Sequence, residues 1–76
     1  MRNRYWVVWN ANDKQWQVTK TGNDRAIKNF DTKEPAIDYG VDIAKENRPS
    51  QLTIKNQNGE IDREHTYNKD PYPPSG

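Results

Sequence analysis

The first twenty residues carry the hydrophobic pattern of a β-hairpin. Residues 4–10, RYWVVWN, are dense in β-forming side chains, and residues 15–19, QWQVT, alternate polar and apolar positions. The short polar loop NANDK lies between them. Two such segments around so short a loop predict an antiparallel hairpin, with Trp16 and Val18 on the buried face of the second strand.

The first strand has two apolar faces, and its pattern alone leaves open which of them is buried. Tyr5, Val7 and Trp9 lie on one face, whereas Trp6 and Val8 lie on the other. If Trp6 and Val8 are the core pair, the other three side chains project from the sheet into solvent.

The hydrophobic period changes from two to 3.6 at Thr32, which predicts a helix over Lys33–Glu46. Thr32 can cap the first amides, Glu34 suits the positive N-terminus, and Pro35 is tolerated in a first turn. The apolar stripe of this helix consists of Ala36, Ile37, Gly40, Val41, Ile43 and Ala44. A glycine is unfavourable in mid-helix, so Gly40 indicates a close approach of the helix to the sheet.

Further strands are predicted on both sides of the helix. Residues 25–30, RAIKNF, fit either a third strand or an extended connection, and we expect a strand. Pro49 stops the helix, and QLTIK and EIDREH then alternate around NQNG, which predicts a second hairpin closed by Asn58-Gly59. Residues 68–76 hold three prolines within four residues and predict an extended tail that packs partly on the domain.

Together these elements predict a single α+β domain over residues 1–67 and a proline-rich C-terminal tail over residues 68–76. One helix packs on an antiparallel sheet of four or five strands, in the order β-β-(β)-α-β-β. The chain has 76 residues, which allows only one modest core. The expected core consists of Trp16, Val18, Phe30, Ala36, Gly40, Ile43, Leu52, Ile54 and Ile61.

Composition and charge narrow the possible functions. The chain has no cysteine and one histidine, so we expect neither disulfides nor a thiolate or zinc site. The longest apolar run, residues 5–9, is too short to span a membrane, and we expect a cytoplasmic protein. The net charge is +1, but residues 1–30 hold six basic and two acidic side chains, a balance of +4. This polarity favours an anionic partner for the N-terminal part.

The reactive side chains form no catalytic pattern. His65 is the only histidine, and the chain offers no cysteine nucleophile. Asp38 with Asp42, and Asp62 with Glu64, are spaced as carboxylate pairs, but we expect both pairs on solvated faces. The four glycines are scattered, so no phosphate-binding loop is predicted. We therefore expect no enzymatic activity, cofactor, metal or small-molecule substrate.

The aromatic first strand is the strongest candidate for a functional surface. If its three-residue face is exposed, the candidate binding face consists of Tyr5, Val7, Trp9, Lys14, Gln17 and Lys20. Exposed apolar area usually marks an interface, which predicts binding to another protein or to a second copy of the chain. The alternative is single-stranded nucleic acid, whose bases stack on aromatic rings beside basic side chains. The near-neutral net charge favours the protein interface.

Short segments spread along the chain resemble a known family. They are YWVV, the W-x-V of Trp16 and Val18, Arg25-Ala26, FDTKE with Ala36, Leu52 and Ile54, NGEI, Tyr67, and the ending D-P-x-P-P-x-G. Their order and the unusual ending resemble the small bacterial and phage family called domain of unknown function 2188. Trp9, Gln15 and the helix end at residues 47–49 depart from the residues that are usual there. The resemblance implies no activity, substrate or site, because that family is itself uncharacterised.

Overall fold

Six elements make up residues 2–68, the part of the chain that this computed structural model describes. They are β1 (Asn3–Asn10), β2 (Gln15–Lys20), β3 (Lys28–Phe30), α1 (Lys33–Glu46), β4 (Ser50–Lys55) and β5 (Ile61–Tyr67). One helix and five strands confirm the predicted α+β class. The predicted tail lies outside the described residues except for Asn68. No helix within residues 2–68 is long and apolar enough to cross a membrane.

The N-terminal hairpin forms, and its register decides which face of β1 is buried. Four residues separate β1 from β2, so that Asn10 pairs with Gln15 and Val7 pairs with Val18. The carboxamide oxygen of Asn10 accepts hydrogen bonds from two loop amides at 3.0 and 3.3 Å, which closes the loop. Directly paired residues share a face of the sheet. Tyr5 and Val7 therefore lie on the same face as Val18.

The sheet is mixed, with strand order β3-β2-β1-β4-β5 and a parallel pair, β1 and β4, at its centre. The direction of α1 explains this pair. β3 runs in the same direction as β1, because each is antiparallel to β2. The helix that follows β3 runs back across the sheet, so β4 begins beside the start of β1 and runs parallel to it. A parallel pair needs a crossover connection of this kind. The predicted all-antiparallel arrangement is corrected at this one pair, because local pattern encodes each hairpin but not how the two hairpins join.

The helix packs on one face of the sheet and encloses the core. The buried apolar side chains are Tyr5, Val7, Trp16, Val18, Ala36, Ala44, Leu52 and Ile54. Gly40 lies directly over the sheet, because a Cβ at this position would be only 3.1 Å from Leu52 Cδ1 and 3.3 Å from Val7 Cγ2. The close approach that Gly40 predicts is confirmed. Phe30 and Ile43, which we expected in the core, pack against it and are only partly buried.

Ile61 is the one predicted core residue that the structure places in solvent. Its side chain is 55% exposed. A bulge explains the error: Ile54 pairs with Arg63, but Lys55 pairs with Ile61, so Asp62 is an extra residue in β5. Without the extra residue, Ile61 would share the face of Arg63 and Ile54 and would point toward the helix. The bulge moves it to the other face.

Side chains close the C-terminal end of α1. The Asn47 carboxamide donates a hydrogen bond to the Ile43 carbonyl at 2.7 Å. The Ser50 hydroxyl donates to the Ala44 carbonyl at 2.5 Å. The first contact satisfies a carbonyl of the last turn, and the second adds to that of the Asn47 amide, which also donates to the Ala44 carbonyl at 3.2 Å. At the other end, Thr32 has the extended backbone of a cap residue but its side chain makes no capping hydrogen bond, which corrects that prediction.

Candidate functional site

The face of the sheet opposite α1 carries the candidate site. We call this surface the open face. The strand register places on it Arg4, Trp6, Val8 and Asn10 of β1, Gln15, Gln17 and Thr19 of β2, Gln51, Thr53 and Lys55 of β4, and Ile61, Glu64 and Thr66 of β5. Most of these side chains are polar and uncharged. Within residues 2–68, α1 is the only helix, and it packs on the other face.

Three of the predicted binding residues lie beneath or beside the helix instead. Tyr5 and Val7 are 3% and 0% exposed, and burial raises the pKa of the Tyr5 hydroxyl. Trp9 is half-buried on the same side, with its ring centroid 5.3 Å from that of Trp16. These side chains were expected in solvent if Trp6 and Val8 formed the core pair. That condition is not met, because the four-residue loop puts Tyr5, Val7 and Trp9 in register with Trp16 and Val18.

The other three predicted residues are separated from one another. Lys20 pairs with Tyr5, and its ammonium lies 5.8 Å from the Tyr5 ring centroid on the helix side of the sheet. Lys14 lies in the loop between β1 and β2. Gln17 alone lies on the open face. A binding surface therefore has to be assembled from the residues that share the open face.

Trp6 lies at the centre of the open face. Its neighbours across the sheet are Thr19 on β2 and Thr53 on β4. Thr53 is buried, whereas the Trp6 ring is half-exposed. The indole Nε1 donates a hydrogen bond to Thr21 Oγ1 at 2.7 Å, which orients the ring. The Lys55 ammonium lies 5.3 Å from the ring centroid, a cation–π contact. Trp6 is thus an oriented aromatic surface with a cation against it.

A cleft of 340 Å³ lies at the start of β1 and is connected to Trp6 through Thr21. Arg2, Asn3, Arg4 and Thr21 line it. The Thr21 amide donates a hydrogen bond to the Arg4 carbonyl at 2.9 Å, which holds the turn after β2 against β1. Thr21 therefore contacts both the cleft and the Trp6 indole. The volume is at the lower end of the range for ligand pockets, and the positive charges of the two arginines that line it suit an anion.

The charges of the open face are mainly positive. Arg4 and Lys55 lie on it, and Arg2 lines the adjoining cleft. Glu64 is the acid of this face. Its carboxylate accepts a hydrogen bond from Gln51 Nε2 at 2.7 Å, so it is held in a row of polar side chains.

Comparison with known proteins identifies the family. The model of a family described as "Uncharacterized protein conserved in bacteria (DUF2188)" matches residues 5–67. The chain belongs to this family. The resemblance seen in the sequence is thereby confirmed, and the matched range includes Trp6, Thr21 and Lys55, whereas Arg2 and Arg4 precede it. No curated protein and no solved structure matches the chain.

The predicted carboxylate pairs of this DUF2188 domain do not form a shared site. The bulge directs Asp62 toward α1, where its Oδ2 lies 3.1 Å from Lys33 Nζ. The hydrogen bond from Lys33 lowers the pKa of Asp62. Glu64 points to the opposite face, and Asp38 and Asp42 are exposed on the helix. Within residues 2–68 there is no group of three His, Cys, Asp or Glu side chains that could hold a metal ion.

Sequence reasoning did not single out Trp6, Thr21 or Lys55 as site residues. For Trp6 a usable signal existed, because a four-residue hairpin loop pairs Val7 with Val18 and so turns Trp6 to the opposite face. For Lys55 no local signal existed. Lys55 reaches Trp6 only through the parallel pairing of β1 with β4, two strands that are distant in the sequence.

Proposed function

We propose that this DUF2188 domain is a non-enzymatic domain that binds single-stranded nucleic acid on its open face. The observation that supports it most is one juxtaposition around Trp6. The Lys55 ammonium lies against the Trp6 ring, and Thr21, which orients that ring, also lines a cleft together with Arg2 and Arg4. Proteins that hold unpaired bases combine aromatic rings with a positively charged path for the backbone.

Trp6 supplies the stacking surface in this proposal. A base takes the position over the ring that the Lys55 ammonium has in the free protein, and the flexible lysine side chain turns its charge to a phosphate. Stacking of one base on an aromatic side chain contributes about 1–3 kcal/mol. Because the Trp6 indole is held by Thr21, little of this energy is lost in ordering the ring.

The backbone of the ligand follows β1. Arg4 and Trp6 lie two residues apart on one face, a separation of about 7 Å along a strand. Gln17 and Thr19 flank this line on β2 and can form hydrogen bonds with base edges. With so few cations on the face, we expect modest affinity and little sequence preference.

A protein interface, with a second copy of the chain or with another protein, is the competing use of the open face. The 55% exposed Ile61 and the half-buried Val8 supply apolar area for it. However, the cores of subunit interfaces are about 65% apolar, whereas the open face consists mainly of Gln, Thr and Asn side chains. The face therefore favours nucleic acid, although the near-neutral net charge taken alone favours a protein partner.

The non-enzymatic part of the proposal is supported by the positions of the titratable groups. Asp62 is paired with Lys33, Glu64 is bonded to Gln51, and the His65 ring lies beside Tyr67 at 6.3 Å. None of these contacts joins a nucleophile to a base. The cytoplasmic location stays a prediction.

The first test is the fluorescence anisotropy of a labelled oligothymidine of about 12 nucleotides, a length within the usual site sizes. Trp6→Ala should weaken binding by about 5- to 150-fold, as expected for the loss of one stacked base. Circular dichroism should show that the variant keeps its fold, because Trp6 lies outside the core.

A matched lysine pair provides the control. Lys55→Gln removes a charge from the open face, and Lys45→Gln removes one from the exposed last turn of α1. We expect weaker binding only for Lys55→Gln. Equal losses in both variants would mean that binding follows total charge and not the open face. A dimer that dissociates on Trp6→Ala, with no binding of nucleic acid, would overturn the proposal in favour of self-association.

A further inference from the structure

The cleft beside Trp6 suits an anion better than a neutral group. Arg2 and Arg4 line it, and within residues 2–68 neither guanidinium group forms an ion pair. The Thr21 hydroxyl adds an uncharged hydrogen-bond donor. A hydroxyl accepts through its lone pairs and donates one hydrogen. Because the Trp6 indole donates to Thr21 Oγ1, the hydroxyl hydrogen remains for a ligand.

Hydrogen bonds from the Asn3 side chain and from backbone amides hold the start of β1 in place. The Asn3 carboxamide donates to the Asn47 carbonyl at 2.8 Å, and the Asn3 amide donates to the Pro49 carbonyl at 2.9 Å. The Thr21 amide donates to the Arg4 carbonyl at 2.9 Å. The start of β1 is therefore fixed on one side to the end of α1 and on the other to the turn after β2. A site fixed before binding loses less conformational freedom when the ligand arrives.

We infer that the cleft holds the terminal phosphate of a nucleic-acid strand whose neighbouring base stacks on Trp6. This inference rests on the proposed function of the open face. A terminal phosphate carries a charge of about −1.5 to −2 at neutral pH, whereas an internal phosphodiester carries a single negative charge. The two positive charges of Arg2 and Arg4 therefore match a terminal phosphate better. The cleft also lies at the beginning of β1, the edge of the open face, where a strand can end.

Thr21 couples the phosphate to the base in this arrangement. Its oxygen accepts from the Trp6 indole, while its hydrogen donates to the phosphate. One side chain thus fixes both the orientation of the stacking surface and the position of the anion. Arg4 adds hydrogen bonds from a planar guanidinium, the geometry that suits phosphate oxygens.

The experiment compares three oligothymidines of equal length, with a 5′-phosphate, with a 3′-phosphate, or with hydroxyl groups at both ends. One phosphorylated strand should bind about tenfold more tightly than the hydroxyl-ended strand, through charge-assisted hydrogen bonds. This gain should disappear in Arg4→Gln and in Thr21→Val. It should persist in Thr21→Ser, which keeps the hydroxyl, and in Lys45→Gln, which removes a charge elsewhere.

The outcomes separate the two proposals. If hydroxyl-ended strands bind in a Trp6-dependent manner and neither phosphate improves binding, the phosphate subsite is wrong and the proposed function stands. If Trp6→Ala leaves the affinity unchanged but the phosphate gain still depends on Arg4 and Thr21, the stacking function is wrong and the anion site stands. Absence of all binding contradicts both.

Discussion

The three tryptophans of this chain occupy three different environments within one hairpin. Trp16 is only 6% exposed beneath α1. Trp9 is half-buried and packs on Trp16 with the ring planes inclined at 59°. Trp6 lies on the open face, where its indole is bonded to Thr21. Position along a strand, and not residue type, therefore decides which tryptophan stabilises the fold and which can contact a ligand.

Trp16→Ala should remove much of the stability of the domain. Truncation of a buried tryptophan costs about 3–5 kcal/mol, and a domain of this length has roughly 4–11 kcal/mol in total. Urea denaturation should show the loss, and Trp6→Ala serves as the comparison because its ring lies outside the core. A Trp16→Ala protein that melts within a few degrees of the parent would show that Trp16 does not anchor the core.

Gly40→Ala should destabilise the protein although alanine is the better helix former. Alanine is favoured over glycine by about 0.8–1.0 kcal/mol in a helix. The added methyl would lie 3.1 Å from Leu52 and 3.3 Å from Val7, and both side chains are fully buried. Overpacking costs about 1–3 kcal/mol, so we expect a net loss of up to about 2 kcal/mol in chemical denaturation.

The control for Gly40→Ala is Asp42→Ala, at an exposed position of the same helix. Its effect should stay within about 0.5 kcal/mol. A Gly40→Ala protein more stable than the parent would mean that Leu52 and Val7 can move aside at little cost.

At the scale of elements, Lys33 connects the start of α1 to the hairpin of β4 and β5. Its ammonium donates to Asn56 Oδ1 at 2.9 Å and to Asp62 Oδ2 at 3.1 Å. It also lies 5.2 Å from the ring centroid of Trp16. Because Asp62 is the extra residue of the bulge, the same irregularity that exposes Ile61 brings a carboxylate to the helix.

This connection predicts a dependence of stability on acid. The hydrogen bond from Lys33 lowers the pKa of Asp62 in the folded protein. A carboxyl with a lowered folded pKa stabilises the fold above its ordinary pKa of about 3.9, and the contribution is lost as the pH falls through the folded pKa. The melting temperatures of Asp62→Asn and of the parent should therefore differ at neutral pH, and the difference should shrink as the pH falls below about 3.9 and the carboxylate is protonated.

Asp42→Asn is the matched control for this comparison, since it makes the same chemical change on the exposed face of α1. Its melting temperature should differ from that of the parent by a similar, small amount at neutral pH and at acid pH. A constant gap between Asp62→Asn and the parent down to low pH would show that the carboxylate of Asp62 does not stabilise the fold.

Over the whole molecule, the basic N-terminal half does not fold into a basic face. Lys20 lies against the Tyr5 ring, and Lys28 lies 5.4 Å from the ring centroids of Phe30 and Tyr39, all on the helix side. Among residues 2–68, the cations of the open face and its adjoining cleft are Arg2, Arg4 and Lys55, and Glu64 is an acid on the same face. The balance of +4 in residues 1–30 thus overstates the charge available to a ligand on the open face.

This small number of cations predicts a shallow salt dependence. If three cations each neutralise one phosphate of a single strand, the logarithm of the binding constant should fall with the logarithm of salt concentration with a slope of about −2. Anisotropy titrations between about 50 and 200 mM salt give this slope. Arg4→Gln should make it shallower by about 0.7, whereas Lys45→Gln should leave it unchanged.

A slope near zero, or binding that strengthens with salt, would contradict an electrostatic contact with the backbone. It would instead indicate an interface dominated by apolar area, such as that of Val8 and Ile61.

The sequence by itself determined the elements of this protein, because each depends on neighbours a few residues apart. The period of 3.6 predicted α1 over Lys33–Glu46, and pairs of β-forming segments around short polar loops predicted both hairpins. Gly40, which has no side chain, indicated the close approach of the helix to the sheet. Local side-chain patterns were sufficient for these features, and the family resemblance followed from the same segments.

Tertiary structure alone decided which face of β1 is open. Both faces of β1 are apolar, so only the register with β2 shows that Tyr5 and Val7 are buried and Trp6 is not. Only the crossover through α1 places β4 beside β1 and brings Lys55 to Trp6. These contacts join residues that are far apart in the chain. Their geometry depends on how the elements pair, and a period of two or 3.6 carries no information about that pairing.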